Sequence, residues 1–250
     1  MNSYLKRKKK ALLMGSGGWW MPPNFNPDEC LAAYQFKGAA DASTSLSDLT
    51  GHGYTLTKTD PDNLMDFDPN EGWIWARSAW RSSRALDNSS INKSENGIKS
   101  FLLRFKNMNG SGNSTGFHLL YDGSSEYPNG WCVQSPWYSD FHEWHLAVEN
   151  YYKNPHWGGG WTGILHCNIG LDNDQTGVHR RPEIYFNGVR VPDNSLGSFR
   201  NAIETPNSIL FGHIGAAGNL SSQTMIAGAF YSRWLTETEI AHVYEQVASM

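Results

Sequence analysis

The stretch that most constrains this chain is Glu183-Ile184-Tyr185-Phe186-Asn187-Gly188-Val189-Arg190-Val191. Two alternating runs flank Asn187-Gly188, a pair that tolerates positive φ at both positions and so closes a two-residue hairpin through a type I′ turn. With that pair at the tip, Phe186 faces Val189, Tyr185 faces Arg190 and Ile184 faces Val191. Ile184, Phe186, Val189 and Val191 are therefore expected to be buried, and Tyr185 and Arg190 less so. An isolated hairpin cannot bury its apolar face, so the rest of the chain must supply more strands.

Those strands are legible as short alternating or apolar runs at 33–36, 54–57, 72–77, 98–105, 116–121, 131–134, 141–151, 164–171, 209–212 and 225–231, separated by turn residues. The run at 141–151 is the longest and sets Trp144, Leu146 and Val148 on one face against Glu143, His145 and Glu149 on the other. One segment reads as a helix: Thr236 opens a Thr-x-x-Glu capping box with Glu239, and Ile240, Val243, Tyr244 and Val247 follow at helical spacing. With 25 Gly and 11 Pro, the 250 residues suit one large all-β domain better than two domains. Its boundaries are 29–250, preceded by an arm over 1–28.

The arm is a different kind of sequence. Lys6, Arg7, Lys8, Lys9 and Lys10 form a basic run, Gly15-Ser16-Gly17-Gly18 a hinge, and Trp19, Trp20 and Phe25 an aromatic set beside Pro22-Pro23. The net charge is −4, but without that run 15 basic residues face 24 acidic ones, so the domain is acidic and a poor nucleic-acid binder. Four apolar residues, Ala11-Leu12-Leu13-Met14, are too few for a signal-peptide core of about 7–15, so neither export nor membrane anchoring is expected. Aromatics that cannot bury themselves and cations that repel one another suit a peg between subunits. The expectation is a homo-oligomer in which residues 11–28 contact another chain. Cys30, Cys132 and Cys167 are scattered and read as reduced, buried thiols.

Taken in order, Ala33-Tyr34-Gln35-Phe36, Ser47-Asp48-Leu49-Thr50-Gly51-His52-Gly53, Trp144-His145-Leu146-Ala147-Val148, Ile184-Tyr185-Phe186-Asn187-Gly188, Phe211-Gly212 and Ala227-Gly228-Ala229-Phe230-Tyr231-Ser232-Arg233-Trp234-Leu235-Thr236 with Glu239, Ile240 and Tyr244 resemble the laminin-G-like, concanavalin A-like lectin/glucanase superfamily. The resemblance spans residues 30–250 and implies an all-β, two-sheet antiparallel jelly-roll sandwich with one short C-terminal helix. Because that fold hosts lectins, glycosidases and structural modules, it does not imply one function.

Catalytic patterns are poorly represented. None of the eleven Glu residues has Asp two positions on, which removes the one-strand carboxylate arrangement of glucanases with this fold. Glu143 and Glu149, six residues apart on a strand, would be about 20 Å apart, too far for either hydrolytic geometry. His142-Glu143-x-His145 misses zinc-protease spacing by one residue. The chain is therefore expected not to be an enzyme.

Binding patterns are better represented. Trp137, Tyr138, Trp157 and Trp161 lie in predicted loops, where core packing explains them least; they are expected to form a glycan surface, although capping of the sandwich or a subunit contact explains them equally well. Trp73, Trp75, Trp144 and Trp234 lie in or beside strand patterns and read as core. Asp172, Asp174, Thr176 and Glu183 occupy positions 1, 3, 5 and 12 of a calcium-loop template with Gly177 at 6, although a turn between two strands explains the same letters. Apart from that calcium, no cofactor is expected.

Three functions follow, in order. The first is a non-enzymatic glycan-binding protein for a cell-surface polysaccharide, which the missing export signal on such a family turns toward a phage virion component attached by its arm. The alternative is a structural or assembly protein that uses the jelly roll as a scaffold. A glycoside hydrolase with loop-borne acids is third.

Overall fold

In the computed structural model, residues 18–60, 63, 65–75, 84–88, 97–109, 115–120, 130–134, 145–146, 161–169, 172–173, 178–179, 183–191, 208–213 and 222–250 are described. They form an all-β sandwich with one C-terminal helix. The strands are β1 (Cys30–Gln35), β2 (Thr57–Thr59), β3 (Met65–Asp68), β4 (Gly72–Trp75), β5 (Arg84–Asn88), β6 (Ser100–Asn109), β7 (Thr115–Leu120) and β8 (Gly130–Gln134). They continue as β9 (His145–Leu146), β10 (Trp161–Asn168), β11 (Asp172–Asn173), β12 (Val178–His179), β13 (Glu183–Phe186), β14 (Val189–Arg190), β15 (Ser208–His213) and β16 (Ser222–Tyr231). One helical turn, α1 (Ala42–Ser45), and one longer helix, α2 (Glu237–Ala248), complete the elements used below.

The first sheet runs β14-β13-β10-β6-β16-β4-β3, with β1 also paired to β16, and the second runs β2-β5-β15-β7-β8-β9. Pairing is antiparallel except between β8 and β9. Alternation along the strands separates two cores. Phe101, Leu103, Phe105, Leu165, Cys167, Ile184, Phe186 and Phe230 fill the space between the sheets together with Phe117, Ile209 and Phe211 of the second sheet. Leu102, Ile164, Tyr185, Ala227, Ala229 and Tyr231 lie on the opposite face of the first sheet, beneath α2.

The tip of the β13–β14 hairpin has the expected register: Phe186 pairs with Val189 and Tyr185 with Arg190. Asn187 and Gly188 take φ values of 50° and 76°, both in the left-handed region that the turn requires. Asn187 also holds the neighbouring strand, since its backbone N–H donates to the Ile164 carbonyl at 2.9 Å and its Oδ1 accepts from Ile164 N at 3.0 Å. This close approach leaves no room at Gly163, where a Cβ would come within 2.5 Å of the Phe186 ring and 2.7 Å of Asn187 Oδ1. Gly163→Ala is expected to cost about 2–3 kcal/mol through overpacking, read as a lower urea midpoint with an unchanged slope. A midpoint equal to that of the parent would show that the tip is loose.

Two of the burial expectations for this hairpin are corrected. Tyr185 is only 4% exposed, because its face of the sheet is covered by α2 instead of water. Val189 is 61% exposed, because β14 is the edge strand of its sheet. Ile184, Phe186 and Val191 are buried as expected, and Arg190 is exposed.

The described part of the arm binds its own domain. Trp19, Trp20 and Phe25 join the core under α2, Phe25 packs edge-on against the Tyr231 ring at 5.7 Å, and Tyr231 Oη donates to the Trp20 carbonyl. The expectation that these aromatics insert into another subunit is corrected to this extent: the face beneath them is apolar and adjacent in the same chain, so they are buried without a partner. Residues 1–17, with the basic run, lie outside the described residues. Arg233 fastens the arm to the helix. Its Nε donates to Glu29 at 2.9 Å, its two Nη atoms donate to the Glu239 carboxylate, and its guanidinium lies 4.5 Å from the Phe25 ring centroid. Glu239 also closes the capping box on Thr236, as the sequence indicates.

Candidate functional site

Strand directions show where the aromatic stretches attach. β10 begins at Trp161 opposite Met108, near the end of β6; β16 begins at Ser222 opposite Asn109; and β4 ends at Trp75 opposite Gln223. β7 follows β6 after the short stretch 110–114, so the start of β7 lies over this same end of the first sheet. β8 ends there as well, with Gln134 opposite Thr115, and β9 runs parallel to β8 and points the same way. The strand ends at 75, 84, 109, 115, 134, 146, 161, 213 and 222 therefore gather at one end of the sandwich, whereas β9, parallel to β8, is entered from the other direction.

Trp137, Tyr138 and Trp157 lie outside the described residues, as does Trp144. Trp137 and Tyr138 follow Gln134 by three and four residues, and Trp157 precedes Trp161 by four. Trp161 itself is the first residue of β10.

The described floor of this end contains Trp73 and Trp75, both buried as expected of core residues. Trp234 is partly buried and donates from Nε1 to the Ile169 carbonyl at 2.9 Å. Beside β3, the Asp60 side chain is fully enclosed; it accepts from Met65 N at 2.8 Å and stands 3.5 Å from Lys58 Nζ. That ammonium lies 5.5 Å from the Trp73 ring centroid.

The calcium template is spread over different elements. Asp172 belongs to β11, which pairs with β12 through Asp172 opposite His179. Asp174 and Thr176 lie outside the described residues. Glu183 opens β13, where one carboxylate oxygen accepts from Asn168 Nδ2 at 3.2 Å and the other stands 3.7 Å from Arg190 Nη2. No group of three metal-binding side chains occurs among the described residues. Cys30 and Cys167 are free and buried, and burial pushes the Cys167 thiol above the usual range.

A buried polar cluster that sequence reasoning missed lies under the start of α2. Asn168 Nδ2 donates to Glu183 and to the Leu235 carbonyl, while its Oδ1 accepts from Leu235 N at 3.1 Å. The amide orientation is therefore settled, and His166 Nε2, 3.1 Å from Asn168 Oδ1, must be the nitrogen that carries the proton. Ser100 Oγ lies 3.2 Å from the same nitrogen. His166 Nδ1 is left buried without a partner, and burial holds the imidazole down at about 4. Strand alternation would have assigned positions 166 and 168 to one face, but nothing local indicates that Leu235, 67 residues later, closes over them.

The Asp48 motif of the sequence proves to be a loop lock rather than a ligand site. Its carboxylate accepts from Ala33 N, Thr50 N, Thr50 Oγ1, Gly53 N and Tyr54 N. All of its oxygen lone pairs are thus directed at the chain's own backbone and hydroxyl donors.

No protein-family model matches the chain, and no curated protein matches it. Solved structures do. Trypanosoma rangeli sialidase is 11% identical with a TM-score of 0.54, over 97% of this chain and 38% of that one. A mutant of that sialidase displaying trans-sialidase activity is 9% identical with a TM-score of 0.54, over 98% and 38%. A mutant of HCR/D is 14% identical with a TM-score of 0.50, over 88% and 52%.

At these identities the likeness is one of fold. The chain spans about 38% of the length of the sialidases. The expectation that the chain is not an enzyme is corrected by this match: sialidases are enzymes that contain such a fold, and the absence of one glucanase motif does not speak to other hydrolytic arrangements. Among the described residues, no helix is long and apolar enough to cross a membrane.

Proposed function

We propose that this chain is a carbohydrate-binding β-sandwich that receives a glycan at the end where 135–144 and 147–160 attach, with Trp137, Tyr138, Trp157 and Trp161 as stacking faces. The observation that carries this reading is the gathering, at one end, of the end of β8, from which Trp137 and Tyr138 follow, the end of β9, and the start of β10, which Trp157 precedes and Trp161 opens. Pyranose C–H faces stack on such rings, while neighbouring amides and carboxylates take the hydroxyls. The outer face of the first sheet is covered by α2 and the arm and offers no glycan surface there.

Sialylated glycans are the first class to test, because the sialidases of similar fold were solved in complex with 2,3-difluorosialic acid and with the inhibitor DANA. Binding to an array of sialylated and neutral oligosaccharides is expected, and Trp157→Ala and Trp137→Ala are each expected to weaken it at least tenfold, the cost of one lost stacking platform. Absence of binding to every glycan, or undiminished binding by both variants, would overturn the reading. A role in a phage particle with the arm as attachment gains nothing from residues 18–29, which are engaged with the chain's own domain.

A further inference from the structure

Trp73 and Trp75 stand two residues apart on one face of β4, both in the core between the sheets. Their indole nitrogens differ. Trp73 Nε1 donates to Ser45 Oγ at 2.9 Å, from the helical turn α1. Trp75 Nε1 is buried with no hydrogen-bond partner. Proteins leave few buried donors unmet, because an N–H removed from water with nothing to receive it bears the whole cost of desolvation.

The position of this donor gives it meaning. Trp75 is the last residue of β4, in register with Met65 on one side and Gln223 on the other, at the end where the loop-bearing strand ends gather. Trp73, deeper along the strand, has been given Ser45. Among the described residues, the other buried indoles without partners, Trp19 and Trp20, belong to the arm, and Trp20 lies beside Tyr231 at the opposite end of β16. Next to Met65 stands the Asp60–Lys58 pair, a carboxylate beside an ammonium that is 32% exposed. An unmet donor beside a charged pair, at the end where the loop-bearing strand ends gather, is a group set that can fix a sugar's orientation.

We propose that Trp75 Nε1 is the floor donor of the glycan site, giving its hydrogen bond to an acceptor oxygen of the saccharide unit that enters deepest between the sheets. This inference rests on the glycan-binding reading above. The ring carbons of Trp75 serve the core whether or not the site is filled, while the N–H is met only when a sugar oxygen arrives. Trp75 thereby sets specificity: a saccharide lacking an oxygen at that position binds and leaves the donor unmet, at a loss of affinity.

The test uses the full chain labelled with 15N at tryptophan, with 3′-sialyllactose and lactose as probes. The Trp75 indole resonance is assigned by correlation through its own side chain and checked by its loss in Trp75→Phe, which keeps an aromatic ring and removes the donor. On titration with the saccharide that binds, that resonance is expected to shift downfield, and Trp75→Phe is expected to raise the Kd at least fivefold while retaining the near-ultraviolet circular dichroism of the parent. Binding with an unmoved Trp75 resonance would overturn the inference and leave the glycan reading intact, and this measurement needs no variant that folds. Where neither saccharide binds at millimolar concentration, the titration uses a glycan that binds on the array, and binding to none of them would overturn the glycan reading and this inference with it.

Discussion

Asp48→Ala is expected to lower stability by about 3–4 kcal/mol, more than any exposed carboxylate in this chain would cost. Five donors meet on that one carboxylate, and four of them are backbone N–H groups at Ala33, Thr50, Gly53 and Tyr54. Hydrogen bonds to a charged acceptor are each worth about 1.5–3 kcal/mol net, and a donor stranded in a buried strand bears its full desolvation. Ala33 is such a case, being fully buried on β1, whereas Gly53 is exposed and would turn to water. The sum is therefore well below five full bonds. Asp48→Asn should fall between, since its amide keeps one acceptor oxygen but aims an NH2 group at two of the N–H donors. Urea unfolding of both variants reads the difference, and a loss below about 1 kcal/mol for the alanine variant would mean that the loop holds itself.

The same residue shows what the sequence made legible. Asp48-x-Thr50-Gly51-x-Gly53 is a local pattern whose glycines must take positive φ, and they do, at 85° and 89°. Asn187-Gly188 and the Thr236–Glu239 capping box are local in the same way, and each fixed its element to within a residue or two. The burial of Tyr185 and the exposure of Val189 were not legible, because both depend on what lies across the sheet: a helix 50 residues later in one case, and a sheet edge in the other. The arm was half legible. Its aromatics had to be buried, but the sequence could not say that the acceptor face was Ala33, Tyr231 and Leu235 of the same chain. The candidate site was legible as a set of residue types, and the convergence of its strand ends appeared only with the register of β6, β8, β10 and β16.

Acidification should weaken the fold in two separate steps, the first of them near neutral pH. His166 is enclosed with Nε2–H directed at Asn168 Oδ1 and with Nδ1 facing no partner, so a second proton would add a buried charge whose N–H nothing accepts. Burial accordingly holds its folded pKa at about 4, against about 6.5 in the unfolded chain, while the Asn168 contact pulls weakly the other way. The unfolded state therefore takes up a proton below about pH 6.5 that the folded state refuses until about pH 4. Stability falls across that window by about 3 kcal/mol and then levels off, because both states are protonated. Ser100 and the Tyr185 ring also face His166, and neither can accept a proton in this range. Glu239 supplies the second step with the opposite chemistry: the Arg233 guanidinium holds its carboxyl at about 2, so the stability it contributes is present above the unfolded value of 4.5 and is lost as the pH falls from there toward 2. His166→Gln should keep an amide N–H where Nε2 stands and cannot titrate. Urea midpoints measured from pH 7.5 to 4 are expected to decline in the parent and to be much flatter in His166→Gln, whatever the stability of the variant at pH 7.5. Parallel declines in the two proteins would show that another group carries the acid sensitivity.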